Sequence, residues 1–255
     1  MTAASRIRLR ARALLAMPHM RMHLILTVLC CMTFWIGSIY ISECTFNAVP
    51  WESLYESRYL VYLLLNLLFY TADALIILLI GLPLLYGCAM IFEGAARGVR
   101  EPMTTLFCAF DSPRRYRKTL GLMLWLLGAH LLTPVLCAIL VWALYDSIGT
   151  VSFWVTLPVT LIMLLAASVI LGRNDAVLAL AYDDPSASVH EWFVRSHRIT
   201  KGKHLSLWQF KLSYIGWGLL SVLSLGLVLI LHALPLFSLS YSLLLTAEAG
   251  DDTQP

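Results

Sequence analysis

Between Tyr59 and Ile91 the chain carries one charged side chain, Asp73. Comparable apolar runs occupy roughly Met22–Ile41, Gly121–Tyr145, Val151–Leu171 and Leu205–Thr246. About 20 apolar residues in a helix cross the hydrocarbon core of a bilayer. Only a helix or a closed barrel satisfies every backbone N–H and C=O there. The composition points the same way: of 255 residues 60% are apolar and 13% charged, with a mean hydropathy of +0.78. A soluble domain of this length carries more charge on its surface. The expected fold is all-α: a polytopic transmembrane helical bundle of about six spans, with short interfacial helices in the cytoplasmic loops.

The expected spans lie near 22–41, 59–91, 121–145, 151–171, 205–223 and 226–246. They form one integral membrane domain, 22–247, after a basic segment, 1–21, and before a short polar tail, 248–255. The second run exceeds a minimal span, which predicts tilt, a kink near Pro83 or a projecting end. Asp146–Thr150 reads as a tight turn. The last apolar stretch divides at Gly226 into two spans; a five-span chain with a re-entrant final stretch is the alternative.

Charge sets the orientation. Of 18 Lys and Arg, five precede the first span, six lie between the second and third, and six flank the fourth and fifth. Arg58 alone falls on the other side. The positive-inside rule puts both basic loops and both termini in the cytoplasm. Arg6, Arg8, Arg10 and Arg12 make the N-terminal stretch a basic amphipathic helix at the membrane surface. Arg97, Arg100, Arg114, Arg115, Arg117, Lys118, Arg195, Arg198, Lys201 and Lys203 would meet anionic headgroups. Nothing in the pattern resembles a nucleic-acid recognition module. In the second basic loop, Ser188 and Glu191 have capping-box spacing, in a helix from about Pro185 to Thr200. His190, His197 and His204 are seven apart, so they share a face if that helix continues. Pro102–Phe110 reads as a short interfacial helix.

The stretch KGKHLSLWQFKLSYIGWGLL, Lys201–Leu220, passes from charged to lipid-soluble. Its Gly216 and Gly218 flank Trp217, and small residues let membrane helices approach closely. Gly216 is therefore expected in a tight seam, with Ser213 hydrogen-bonding across it. Gly202, Ser213, Ile215, Gly216, Trp217 and Gly226 also carry a resemblance. With Ser196, Leu207, Phe210, Leu212, Leu219, Leu220 and Leu225 they resemble the closing signature of a family of uncharacterised bacterial integral membrane proteins, domain of unknown function 975. Tyr214 stands where that family often has Phe. Phe92-Glu93-Gly94 with the Phe107–Phe110 step, and Ala181-Tyr182-Asp183-Asp184-Pro185, are similar to its approaches to the two cytoplasmic loops. The resemblance implies a multi-pass protein of the bacterial inner membrane. It implies no reaction.

Asp73 is the acidic residue in the middle of an apolar run, and a carboxylate there should face other helices or water. Asn66 and Tyr70 lie near it on the helix. With His130 and His232 these residues form the candidate intramembrane polar site. No metal-ligand spacing, cofactor motif or nucleophile setting appears, and the six cysteines read as small hydrophobes. The expected function is non-enzymatic: a membrane scaffold or envelope-associated factor with a basic cytoplasmic face, whose partners are membrane lipids or another membrane protein. One alternative is a small transporter using Asp73, with a polar cavity between the second, third and sixth spans. The other is a membrane-embedded enzyme acting on lipid.

Overall fold

Met17 and Pro18 break the N-terminal region into two helices. Proline lacks an N–H and disfavours helical backbone in the residue before it. Met17 is extended, so α1 (Ala3–Ala16) stops and α2 (Pro18–Asn47) starts with proline in its first turn. The structure, a computed structural model, describes residues 3–49, 51, 55–56, 58–148, 172–214, 216–217, 220 and 233–251. Ile215, Gly226, His232 and the expected fourth span, 151–171, lie outside the described residues.

Helix α3 (Tyr59–Ile76), one π-type turn (Ile77–Gly81) and α4 (Leu82–Ala96) run on as one rod. The turn answers Pro83. That residue cannot bond the Leu79 carbonyl four residues back, and its ring crowds it. The backbone widens, with the Leu82 N–H reaching Ile77. The freed Leu79 carbonyl accepts from the Tyr116 hydroxyl at 2.8 Å. Helix α4 ends at Gly98, whose φ of +79° suits glycine. Val99 N–H bonds back to Gly94 and Gly98 N–H to Ala95, closing the terminal carbonyls.

A 3-10 segment, Met103–Phe110, follows where a short helix was expected. Helix α5 (Pro113–Ile148) starts at Ser112, whose hydroxyl accepts from the Arg115 N–H at 3.2 Å. It runs through Asp146 to Ile148, so the first part of the turn expected over Asp146–Thr150 is helical, and residues 149–150 lie outside the described residues. The second basic loop folds into α6 (Val177–Asp183) and α7 (Val189–Thr200), followed by α8 (His204–Leu212). Ser188 and Glu191 form the capping box at the start of α7, four residues later than the helix start expected at Pro185. Gly202, at φ +78°, separates α7 from α8. His190 and His197 therefore ride α7 while His204 opens α8, so the three do not share one helix. Helix α9 (Leu234–Asp251) continues into the expected polar tail.

The fold is all-α, with nine α-helices among the described residues. Two apolar helices, Pro18–Asn47 and Tyr59–Ala96, are long enough to cross a membrane. They differ in surroundings along their length. No residue of α3 is buried, and Leu60, Leu64, Leu67 and Leu68 are all more than half exposed. In α4 only Leu85, Cys88 and Ala89 keep some exposure. Helix α4 is the hub. Its Leu84, Ile91 and Phe92 pack with Leu15 of α1, Leu24 and Val28 of α2, and Leu239 of α9. Its Tyr86 and Met90 pack with Leu122, Val177 and Trp192 from α5, α6 and α7. Trp192 also donates its indole N–H to the Asp184 carbonyl at 2.9 Å, which clamps α7 to the turn before it.

Candidate functional site

Glu93 sits near the end of α4 and is 5% exposed. A carboxylate so placed needs partners for both oxygens. One turn later, Arg97 supplies the first: its Nη1 donates to Glu93 Oε2 at 2.7 Å. Ser242 of α9 donates to Oε1 at 2.8 Å. Arg97 then reaches the second basic loop. Its Nε donates to Asp183 Oδ1 at 2.7 Å and its Nη2 to the Ala179 carbonyl at 3.3 Å. The guanidinium carbon lies 4.7 Å over the Tyr182 ring.

The network continues into the first loop. Tyr182 donates its hydroxyl to Glu101 Oε1 at 2.7 Å. Burial, and then this bond to a carboxylate, push the Tyr182 phenol up to about 12. Two glycines of α4 let the loop come close. A β-carbon on Gly87 would overlap the Leu106 backbone carbonyl. One on Gly94 would lie 2.6 Å from Glu101 Cγ and 3.1 Å from the Tyr182 hydroxyl. Thus Phe92-Glu93-Gly94 and Ala181–Pro185, singled out separately in the sequence, meet in one polar junction.

Beside the junction lies a cavity of about 350 Å³. Leu85, Cys88, Ala89, Phe92 and Glu93 of α4 line it, with Leu126 and His130 of α5 and Phe237, Ser238, Tyr241 and Ser242 of α9. Asn174 and Asp175 close one side. Asp175 accepts from the Tyr241 hydroxyl and pairs with Lys211 Nζ at 2.7 Å. The Lys211 ammonium lies 5.1 Å from the Tyr241 ring centroid. On the far side of Tyr182 a polar groove of about 510 Å³ holds Glu101, Thr104, Thr105, Asp111 and Arg115.

The expected polar site is divided. Asp73 is half-buried and lines a different, mostly apolar cavity of about 490 Å³ between α2 and α3, with Thr33, Ser38, Ser42 and Phe69. Asn66 turns back to its own helix, donating to the Tyr62 carbonyl at 3.0 Å. Tyr70 is 67% exposed and tilts against Phe46 at 6.4 Å. His130 bonds the Leu126 carbonyl through Nδ1 at 2.7 Å and faces the cavity of Glu93 instead. A cavity between the second, third and sixth expected spans does exist, but Glu93 and Asp175 carry its charge, not Asp73. The sequence marks Glu93 as part of a loop approach but not as a buried site residue, because it stands in a polar break beside several arginines. The available signal was the EGAAR spacing, an acid and a base one turn apart at the end of an apolar run.

The expected headgroup contacts separate into two groups. Arg100, Arg114, Arg117, Arg198 and Lys201 are exposed. Arg97 turns inward. Lys118 donates to the Pro185 carbonyl at 2.7 Å and to that of Ala187, with its ammonium 4.1 Å from the Trp192 ring centroid. Burial lowers the Lys118 ammonium below the ordinary lysine range. Arg115 pairs with Asp111 at 3.0 Å and Arg195 with Asp184 at 3.1 Å. Lys203 is half-buried. The Ser186 hydroxyl, the Ala187 N–H and Arg195 hold the Asp184 carboxyl below its usual range. Gly216 is exposed, and a β-carbon there would meet nothing within 4 Å among the described residues. Close approaches at a glycine are found at Gly87 and Gly94. Ser213 does bond across elements, accepting from Arg8 Nη2 at 2.6 Å. Trp217 is half-buried.

Among the described residues no three His, Cys, Asp or Glu side chains gather as metal ligands. Set against protein-family models, curated proteins and solved structures, the chain matches none.

Proposed function

We propose that the chain is a multi-pass protein of a bacterial inner membrane, related to the uncharacterised family it resembles, and that it works as a non-enzymatic scaffold. Six spans and two cytoplasmic termini accord with the seventeen-to-one division of basic residues. The exposed leucines of α3 suit lipid, since in water an apolar face of that extent drives association. The observation that carries the scaffold reading is the Glu93–Arg97–Asp183 junction. It ties the second basic loop to α4, and the Tyr182–Glu101 bond adds the first loop. The two loops become one cap rather than two loose segments. That cap leaves Arg100, Arg114, Arg117, Arg198 and Lys201 facing outward, as a fixed basic surface for anionic headgroups or an acidic partner.

Photocrosslinking in intact membranes tests this reading, with the crosslinker beside Arg114 and Arg117. A discrete protein or lipid adduct, lost on Arg114→Glu with Arg117→Glu and weakened when Arg97→Met releases the cap, supports the scaffold. The cavity holding Glu93, His130 and Asp175 favours a second reading, a small permease for a cationic solute. In that case reconstituted vesicles take up a cationic substrate, Glu93→Gln abolishes uptake, and the paired arginine reversals leave it intact.

A further inference from the structure

We propose that Arg8 and Arg12 form a phosphate-binding site, separate from the exposed basic surface of the cap and independent of the scaffold reading. The two arginines are one turn apart and share a face of α1. Both line a small pocket of about 50 Å³ with Ser213, Tyr214, Trp217 and Leu236. Arg8 is held in place there. Its Nη2 donates to Ser213 Oγ at 2.6 Å, and its guanidinium carbon lies 5.5 Å from the Phe210 ring centroid and 5.8 Å from that of Tyr214.

Among the described residues the pocket is rich in donors and poor in acceptors. The Ser213 hydroxyl gives its proton to the Phe210 carbonyl at 2.5 Å, so it serves Arg8 only as an acceptor. The Tyr214 hydroxyl is turned to Ser240 at 2.9 Å. Among the described residues Arg8 Nε is buried with no hydrogen-bond partner. Of the other inward-turned bases, Arg97 and Lys211 each meet a carboxylate and Lys118 meets two carbonyls; among the described residues neither Arg8 nor Arg12 has an ion pair. A buried guanidinium N–H lacking an acceptor, with a second guanidinium on the same small space, calls for an anion. Forked donors from two arginines suit the oxygens of a phosphoryl group. The volume suits that group. The phosphate of a phospholipid headgroup and free phosphate share this chemistry.

The test uses the full chain purified in a neutral detergent at fixed ionic strength. One arm adds phosphatidylglycerol against phosphatidylcholine, read by native mass spectrometry and thermal melting. The other adds inorganic phosphate against chloride. The expected result is one retained anion per chain and a dissociation constant raised about tenfold by Arg8→Gln or Arg12→Gln. Arg10→Gln, on the exposed side of α1, should leave it unchanged. Retention of phosphatidylglycerol without inorganic phosphate assigns the site to a headgroup; retention of inorganic phosphate assigns it to a soluble phosphate. Should Arg8→Gln fail to fold, Arg12→Gln, at an exposed side chain, decides alone. Binding of neither anion, or an Arg12→Gln effect no larger than that of Arg10→Gln, overturns the proposal.

Discussion

Arg97 Nε donates to Asp183 Oδ1 at 2.7 Å, joining positions 86 apart in sequence. The same guanidinium holds Glu93 at 2.7 Å, yet the two acids differ in surroundings: the Glu93 side chain is 6% exposed and that of Asp183 47%. The two pairs should therefore contribute unequally.

Replacing Arg97 by Met strands Glu93 as a buried charge. Breaking a buried pair from one side costs about 3–5 kcal/mol. Asp183→Asn removes a partner from a well-solvated pair, which contributes about 0.2–1 kcal/mol. Thermal melting of detergent-extracted protein should rank Arg97→Met far below Asp183→Asn. Adding Glu93→Gln to Arg97→Met should recover part of the loss, and equal melting of the two single variants would falsify the asymmetry.

Glycine substitution should separate two helices that look alike in sequence. Gly87→Ala drives a β-carbon into the Leu106 backbone, which cannot swing away as a side chain can. A cost of about 1–3 kcal/mol is expected from overpacking of this kind. A β-carbon at Gly216 meets nothing within 4 Å among the described residues, so Gly216→Ala and Gly216→Leu should leave melting and monodispersity close to those of the parent. A Gly216→Leu chain that aggregates while Gly87→Ala behaves normally would reverse the assignment.

Tyr182 gives a pH-dependent readout. Its phenol is raised from an ordinary value of 10.0 to about 12. A raised folded-state value means the protonated donor is favoured on folding. Its stabilisation is complete below pH 10 and is lost as pH rises through about 12. The ultraviolet difference titration, parent minus Tyr182→Phe, should show one tyrosine ionising near the upper value. An ordinary titration near 10 would mean that the bond to Glu101 is absent.

The start of α7 depends on one hydroxyl. Ser188→Ala removes the acceptor for the Glu191 N–H and should cost about 1 kcal/mol, the usual effect of an N-cap loss. The Glu191 carboxyl is held below its ordinary range by the Ser188 N–H. Its stabilisation is present above pH 4.5, the ordinary value, and disappears as pH falls through the lowered one. Melting curves of parent and Glu191→Ala should converge in acid, where the carboxylate is protonated; a gap constant with pH would show that the carboxylate plays no part.

The sequence made some of this legible and hid the rest for identifiable reasons. Capping-box spacing is local, so Ser188 and Glu191 could be read directly. The effect of Pro83 was legible as a disturbance but not as a π turn, because Tyr116, 37 positions away, takes up the freed carbonyl. Glu93 was hidden because linear sequence cannot show which residue of a polar stretch turns inward. Its partner Ser242 lies 149 positions away. Asp73 drew attention by standing alone, but solitude in a run of leucines says nothing about what lies across the gap. The small glycines were equally ambiguous, since the same residue type marks a close backbone contact at Gly87 and no contact among the described residues at Gly216.

The widened turn at Ile77–Gly81 also acts as a rotational offset. A π turn takes in about one extra residue, so everything after it is turned by about 100° relative to an unbroken α-helix. Asp73, before the turn, faces α2, whereas Glu93, after it, faces α9 and the loops. One rod thereby serves two neighbours that a uniform helix would present at different angles. Deleting a single residue between 77 and 81 would remove the offset and press Pro83 against the carbonyl four residues back, while leaving composition and hydropathy almost unchanged. It would aim Glu93 away from Ser242. This segment should therefore tolerate side-chain exchange far better than any change in length.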